Sequence, residues 1–365
     1  MATERYHRQV ILNGFGETAQ VLLSKARVLV IGAGGIGCPA LQYLAAAGVG
    51  SIGIADDDTI ALSNLHRQVL FNTDDIDKLK VRIARKRLEK MNPEIEIISH
   101  PLRLQRENIL TLLKGYDFVL DGTDNFESRY LINDACVLLG KALIFAAISG
   151  FEGQLAIFNV ADKKGQRCNY RDLFPIPPQP GEIPGCTENG VLGVLPGIIG
   201  IMAAAETIKL ITGIGQPLIN QLLHYNLLSH DQYKMTISPG DNYVMADNEN
   251  DFLKMVDPSF CNLKPGYNEI DAEQLIILQK QSTIIIDVRE QHELPILNDE
   301  VYKKAPMTEF PIFLDSEIEE KNIVFICQHG IRSILAAQAT QEKYGSRKNI
   351  YTLKGGIVKW RNYFI

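Results

Sequence analysis

Gly32, Gly34 and Gly37 form G-x-G-x-x-G directly after the apolar run VLVI, and Asp56 closes the next such run in SIGIADDD. Glycines at this spacing allow a tight turn and close approach of backbone to phosphate. A helix opening there favours the anion, and an acid on the next strand can hold a ribose hydroxyl. The motif points to a nucleotide, and by itself to NAD; the plainer alternative is that the glycines only let a helix pack on a sheet. Residues farther along the chain shift the balance. ALSNLHRQVLF supplies Asn64, Arg67 and Gln68, DKLKVRIARKRLEKM supplies Lys80, and DGTDNFESRYLIND supplies Asp121 and Asp124 just past a strand. Arg67 and Lys80 are cations able to neutralise a triphosphate, and Asp124 is a carboxylate able to hold Mg2+ beside phosphate oxygens. Each charge alone would be an ordinary solvated residue. Together they match what nucleotidyl transfer needs to stabilise charge on the α-phosphorus and the leaving pyrophosphate.

A second chemical setting stands near the end of the chain. In VFICQHGIRSILAAQ, Cys327 follows an apolar run and precedes a short loop, with Gly330, Arg332 and Ser333, that turns into a helix. A thiol at a strand end under converging backbone amides and the positive end of a helix should have a lowered pKa, and the same cradle would steady an anionic persulfide. Arg332 adds charge, and Ser333 is placed to cap the helix.

These residues need elements to position them. RVLVIGAG, SIGIADDD, DFVLDGTD and ALIFAAISG read as strands separated by helical stretches, the rhythm of a mostly parallel sheet covered on both faces. QLAIFNV and LLHYNLLSHDQYKMTIS read as further strands in an antiparallel extension. The apolar stretch 191–213 is interrupted by Pro196 and carries Glu206 and Lys209, which favours a buried core helix over a membrane span. The polar stretch 238–252 lacks periodicity and is the natural linker. Beyond it, EIDAEQLIILQKQ reads as a helix capped by Asp271, STIIIDVRE and KNIVFIC as strands, and RSILAAQATQEKYG as a helix closed by glycine.

At 365 residues the chain suits two domains. Its formal net charge of -6 offers no global positive field, so neither nucleic acid nor an anionic membrane is an expected partner. The six cysteines are scattered without close pairs, as expected of free thiols in a reducing compartment, and the N-terminal MATERYHRQVIL has no apolar h-region. A cytoplasmic location is the expectation.

RYHRQVIL, VLVIGAGGIGCP, ALSNLHRQVLF, DGTDNFESRYLIND and GCTENGVLGVLPGIIG, in this order over about residues 1–240, resemble the HesA/MoeB/ThiF family of ubiquitin-activating-like adenylyltransferases. The resemblance implies adenylation of the C-terminal glycine of a ubiquitin-like sulfur carrier, with a MoaD-type carrier favoured and a ThiS-type carrier close behind. It implies that Gly34, Asp56, Asn64, Arg67, Gln68, Lys80 and Asp124 contact ATP and Mg2+. It also implies that Arg8 reaches the ATP of the partner subunit in a homodimer. A carboxylate is already ionised at neutral pH, so its attack on the α-phosphate needs no general base, and catalysis rests on positioning and charge. His7 and His66 beside the arginines are read as structural.

The resemblance also places Cys186, in FPIPPQPGEIPGC, on a crossover loop. Its thiolate could attack the acyl-adenylate to give a thioester or, as a persulfide, an acyl disulfide; that it is a loop residue adenylation does not need stays equally open. Family members often hold zinc with two C-x-x-C pairs, the first in a C-Y-R-C-like segment. Here CNYRDLFP puts Asn169 and Asp172 at the cysteine positions, with Cys168 displaced by one, and MTISPGDNYVM holds no cysteine. Four tetrahedral nitrogen or sulfur ligands cannot be assembled, so no zinc is expected and Cys168 is read as an ordinary thiol.

DVRE at Asp287, CQHGIRS at Cys327 and LKGGIVKW resemble a rhodanese domain over the last hundred residues, which implies Cys327 as the persulfide cysteine and a persulfide donor as partner. The stretch between Asp287 and Cys327 lacks the usual G-H-I-P-G-A segment. The expected fold is α/β throughout: a Rossmann-like, mostly parallel sheet with an antiparallel extension, then a small α/β rhodanese-like domain. The boundaries are 1–245 for the adenylating domain, 246–268 for the linker and 269–365 for the second domain. Two other classes compete, an NAD-dependent oxidoreductase and a non-catalytic binder of a ubiquitin-like protein. The cluster of Asn64, Arg67, Lys80 and Asp124 argues against the first, and the presence of Arg8, Asp56, Lys80 and Asp124 argues against the second.

Overall fold

A computed structural model describes residues 4–175, 177–178, 190–240, 243–255, 267–291, 293–328, 330–360 and 363–364. The chain divides into two units, one made of Met1–Pro177 and Pro184–Asp257, the other chiefly of Pro258–Ile365.

The first unit holds the strands β1 (Arg27–Ile31), β2 (Ser51–Ala55), β3 (Glu96–His100), β4 (Phe118–Asp121), β5 (Ala142–Ser149), β6 (Glu152–Phe158), β7 (Gln221–Asn226) and β8 (Gln232–Thr236). They form one sheet in the order β3-β2-β1-β4-β5-β6-β7-β8. From β3 to β5 all pairs are parallel, because the helices Gly37–Ala47, Lys80–Met91, Arg106–Lys114 and Phe126–Leu138 carry the chain back over the sheet between successive strands. Covered on both faces, β1 and β2 bury nearly every side chain, which is why RVLVI and SIGIA lack polar alternation. After β5 the chain turns at once into β6, with Gly150 at φ 56°, and β6, β7 and β8 complete an antiparallel extension.

The helix Val194–Thr212 is long and apolar enough to cross a membrane by length and composition. It packs instead along β5 and β6, burying Leu195, Ile199 and Ala203. Its buried Glu206 accepts a hydrogen bond from the Leu218 amide at 2.8 Å. Val194 and Ile201 on the same helix are exposed, so it is a one-faced core helix rather than one enclosed all round.

The second unit is a parallel sheet of β9 (Asn268–Ile270), β10 (Thr283–Asp287), β11 (Tyr302–Lys304), β12 (Asn322–Ile326) and β13 (Asn349–Leu353) in the order β11-β10-β12-β13-β9. Asp271 caps the helix Ala272–Gln279 as its sequence predicts. Its carboxylate accepts from the Gln274 amide at 2.8 Å, while the Gln274 side chain accepts from the Asp271 amide at 3.0 Å.

The stretch 246–268, expected as linker, opens with a helix, Glu249–Lys254, capped by Asn248. Phe252 on this helix is fully buried in the core of the first unit, with the Arg106 guanidinium over its ring. One apolar anchor in a six-residue polar helix leaves no periodicity to read, which is why the stretch resembles a linker in sequence.

Candidate functional site

The site in the first unit begins with strand register. Ile31 at the end of β1 lies opposite Ala55 of β2 and Asp121 of β4. The Gly32 amide donates to the Ala55 carbonyl at 2.8 Å, and the Gly122 amide to the Ile31 carbonyl at 2.9 Å. The glycine turn, Asp56 and the Asp121–Asp124 loop therefore leave the sheet side by side at the carboxyl ends of its strands. There the chain runs one way to β2 and the other to β4, which is where sheets of this kind open a crevice for ligands. A Cβ on Gly37 would lie 1.8 Å from the Gly32 carbonyl, so only glycine lets the helix Gly37–Ala47 start this close to the strand. A Cβ on Gly34 would meet nothing nearer than the Gln68 amide nitrogen at 3.9 Å, so this side of the turn is open.

Around the turn, Asp56 accepts from the Ala33 amide at 2.7 Å and from the Asp58 amide at 2.8 Å. Burial pushes its carboxyl above the ordinary range, against the pull of nearby Lys80. Lys80 is itself buried, at the first position of the helix Lys80–Met91, and its Nζ donates to Asp58 Oδ2 at 2.7 Å. Gln68 is buried, and its Oε1 has no hydrogen-bond partner among the described residues. A buried acceptor of that kind fits a donor supplied by a ligand. Arg67 is half-buried and donates to the Ser63 carbonyl at 3.0 Å, with His66 Nε2 2.7 Å away. Asn64 Oδ1 accepts from the Ala61 amide at 3.1 Å, holding the turn that presents Arg67 and Gln68.

The two acids at the end of β4 and in the loop beyond it divide their work. Asp121 is buried, accepts from the Thr123 amide at 2.9 Å and hydroxyl at 2.6 Å, and has its carboxyl pushed up by burial, with Arg129 pulling the other way. It shapes the loop, while Asp124 stands exposed on it. Sequence reasoning puts Mg2+ at Asp124 and misses a second set of candidate ligands. The carboxylates of Asp56, Asp57 and Asp58 bring one oxygen each within 4.8 Å of one another. The run of three acids is visible in the sequence, but only the fold of the loop shows that they converge. Oxygen donors of this kind fit a hard divalent cation, with the remaining positions left to phosphate and water.

Arg8 is exposed on the short helix His7–Val10. Cys186 lies outside the described residues. Cys38 sits behind the glycine turn, fully buried, with its thiol donating to the Ala33 carbonyl at 3.3 Å, and burial pushes that thiol up to about 12, the setting of a packing residue. Burial likewise raises Cys168 to about 11.

In the second unit, Cys327 follows β12 and is buried. The Gly330 amide donates to its sulfur at 3.1 Å, and the thiol lies 3.5 Å from the Ser333 hydroxyl. Ser333 does not cap the helix Ile331–Tyr344 as expected. Gly330, with φ 89°, takes the capping position, and Ser333, one turn inside, donates back to the Gly330 carbonyl at 3.1 Å. The residues after the GG of LKGGIVKW back the loop: the Ile357 amide donates to the Cys327 carbonyl at 2.9 Å and the Val358 amide to the Gln328 carbonyl at 3.1 Å. Arg332 is held by Glu293, its Nη2 2.8 Å from Oε2, and the fully buried Arg289 ties Asp287, Gln328 and the Pro295 carbonyl together. Glu293 and Arg289 do not stand out in the sequence, although both belong to the DVRE stretch or its immediate continuation.

Residues 6–243 match the ThiF family model. The chain belongs to the ThiF family. Residues 271–363 match the rhodanese-like domain, so this member carries that domain behind its ThiF unit. A sulfur carrier protein adenylyltransferase of Thermus thermophilus is 47% identical over 72% of this chain and 97% of its own length. A Mycobacterium tuberculosis protein named probable adenylyltransferase/sulfurtransferase MoeZ is 39% identical over 98% of this chain and 92% of its own length, spanning both domains. Among solved structures, E. coli MccB crystallised with ATP superposes with a TM-score of 0.52 at 22% identity, covering 61% of this chain and 67% of that one, a likeness of fold.

Proposed function

We propose that this ThiF-family enzyme uses ATP to adenylate the C-terminal carboxylate of a ubiquitin-like sulfur carrier, and that its rhodanese-like domain supplies the sulfur that replaces AMP. The observation that carries the first half is the junction at the strand ends. A glycine turn with an open face, a buried lysine and a buried Gln68 acceptor with no hydrogen-bond partner among the described residues gather at the carboxyl ends of the strands. The names of the relatives that match the ThiF unit and the whole chain support the same reading.

In this reading the carrier carboxylate attacks the α-phosphorus, a new carboxyl-oxygen–phosphorus bond forms, and the bond to the β-phosphate oxygen breaks as pyrophosphate leaves. Lys80 and Arg67 supply positive charge to the phosphates, Asp56 takes the ribose, and the Asn64 turn holds Arg67 and Gln68 in place. Asp124, with Asp57 and Asp58 as the other candidates, supplies the carboxylates that would hold Mg2+, which when bound neutralises phosphate charge. Arg8 serves the site of a second copy of the chain. A homodimer is supported by the apolar side chains left exposed on three helices that pack together: Val21 and Leu22, Tyr43, and Val194 with Ile201.

For the second half, an anionic persulfide on Cys327 attacks the acyl carbon and AMP leaves, giving an acyl disulfide. A thiol then attacks the Cys327 sulfur and releases the thiocarboxylate, ending as a disulfide with Cys327. A second equivalent of small thiol reduces that disulfide, and the freed Cys327 thiolate then attacks the outer sulfur of a donor persulfide, whose inner sulfur leaves as a thiolate. We assign the carrier to the MoaD type and the protein to the cytoplasm. Free Cys38, Cys136, Cys168 and Cys327 fit a reducing compartment.

The test mixes the enzyme with Mg-ATP, a persulfide donor and either a MoaD-type or a ThiS-type carrier, and follows carrier mass and AMP. The expected result is AMP formation dependent on the MoaD-type carrier, with thiocarboxylate formed by wild type but not by Cys327→Ser. Turnover with the ThiS type alone would reassign the carrier. ATP consumption with neither would overturn the reading, and Cys186→Ser in the same assay reports whether that thiol takes part.

A further inference from the structure

The turn Tyr170–Asp172 and the segment after β8 lie far apart in sequence and are joined by side chains whose hydrogen bonds are all spoken for. Tyr243 donates its hydroxyl to Asp172 Oδ1 at 2.7 Å, and the same oxygen accepts from the Gly240 amide at 2.6 Å. Asp172 Oδ2 accepts from the Asn169 amide at 2.7 Å and from Asn169 Nδ2 at 3.1 Å. Asn169 Nδ2 also donates to the Tyr243 hydroxyl at 2.6 Å, and Asn169 Oδ1 accepts from the Arg171 amide at 2.9 Å and from Asn133 Nδ2 at 3.3 Å. Behind this ring, Arg171 makes a buried two-pronged bond to Asp134 at 2.8 and 2.7 Å.

By the family resemblance, Asn169 and Asp172 stand where one C-x-x-C pair would hold zinc and the second pair would fall around MTISPGDNYVM, and the donor set present does not fit the metal. Cys168, two residues before the turn, is buried and its thiol donates to the Ile237 carbonyl at 3.4 Å. A carboxylate offers about four lone-pair sites, and Asp172 accepts four hydrogen bonds, so none is left for a metal. The Tyr243 hydroxyl both gives and receives.

We propose that Asn169, Asp172 and Tyr243 form a metal-independent clasp that does the work of a structural zinc knot, tying the turn at 170–172 to Gly240 and Tyr243. A polar network with every member satisfied is rigid and specific, whereas one with a member removed leaves buried groups unpaired. The clasp also roots the stretch that leads on toward Cys186 in the sequence. Next to it the Tyr130 hydroxyl donates to the Phe174 carbonyl at 2.9 Å, and Arg171 to the Pro175 carbonyl at 3.5 Å.

The test uses the full-length protein and does not depend on the adenylation reading. Metal analysis of the purified chain should find no stoichiometric zinc, and EDTA should leave the thermal midpoint unchanged. Tyr243→Phe and Asp172→Asn should each lower that midpoint by about 2–4 °C. The double variant should lose less than the sum of the two, because both remove the same bond. Should Asp172→Asn fail to fold, Tyr243→Phe, which deletes one oxygen, carries the measurement alone. One zinc per chain with a midpoint that EDTA lowers would overturn the proposal, as would a Tyr243→Phe midpoint equal to wild type.

Discussion

Lys80 Nζ lies 2.7 Å from the Asp58 carboxylate, and the two ends of this ion pair live in different surroundings: the lysine side chain is 6% exposed and the aspartate 67%. A buried ammonium with one water-facing partner is a charge held ready for an incoming anion, since a triphosphate can take the place that solvated Asp58 now fills. Lys80→Ala should therefore lower carrier-dependent ATP–pyrophosphate exchange by about a hundredfold or more. Lys80→Arg should not restore it, because a planar guanidinium does not fit a pocket built around a compact ammonium. Exchange at wild-type level in Lys80→Ala would remove the lysine from the site.

Asp124 stands exposed after β4, whereas Asp121 in the same loop is buried and shapes it. Asp124→Asn should leave the thermal midpoint nearly unchanged and raise the Mg2+ concentration needed for half-maximal exchange. Asp121→Asn should instead lower stability. A Mg2+ requirement that moves with Asp57→Asn or Asp58→Asn and not with Asp124→Asn would shift the metal to the other acid cluster.

Gly330 has φ 89°, and a Cβ there would lie 3.0 Å from the Gly355 amide nitrogen. Gly330→Ala should cost the second unit about 1–3 kcal/mol, seen as earlier unfolding of that unit in urea, and should slow thiocarboxylate formation. Adenylation should be unaffected. A variant with normal sulfur transfer would show that the loop around Cys327 tolerates rearrangement.

Burial alone would push the Glu293 carboxyl up, but hydrogen bonds from Arg332 and from the Glu290 backbone outweigh it and hold it below the usual glutamate range. A carboxyl depressed on folding contributes stability that is complete above its unfolded value of about 4.3 and is lost as pH falls through the lower folded value. The stability gap between wild type and Glu293→Gln, measured by urea unfolding, should thus be widest near neutral pH and narrow on acidification. A gap that grew toward low pH would contradict the Arg332 pairing.

The local structure around the two motifs is legible in the sequence. Strand-glycine-helix order around Gly32 to Gly37 and strand-loop-helix order around Cys327 arise from short-range constraints of turn and apolar run, and the elements lie where the sequence places them. Whatever depends on partners far away in the chain is settled by the fold. Lys80 reads in the sequence as a cation for phosphate, but only the fold shows that it is buried and paired with Asp58. Ser333 reads as a cap until the left-handed Gly330 takes that place and turns the hydroxyl toward the thiol. Glu249–Lys254 reads as linker until Phe252 finds the core. Asn169 and Asp172 read only as missing cysteines until Tyr243 closes on them from 71 residues away. Spacing along a chain reports which groups can meet across one turn; which groups meet across the fold is set by burial and by hydrogen bonds that must all be satisfied at once.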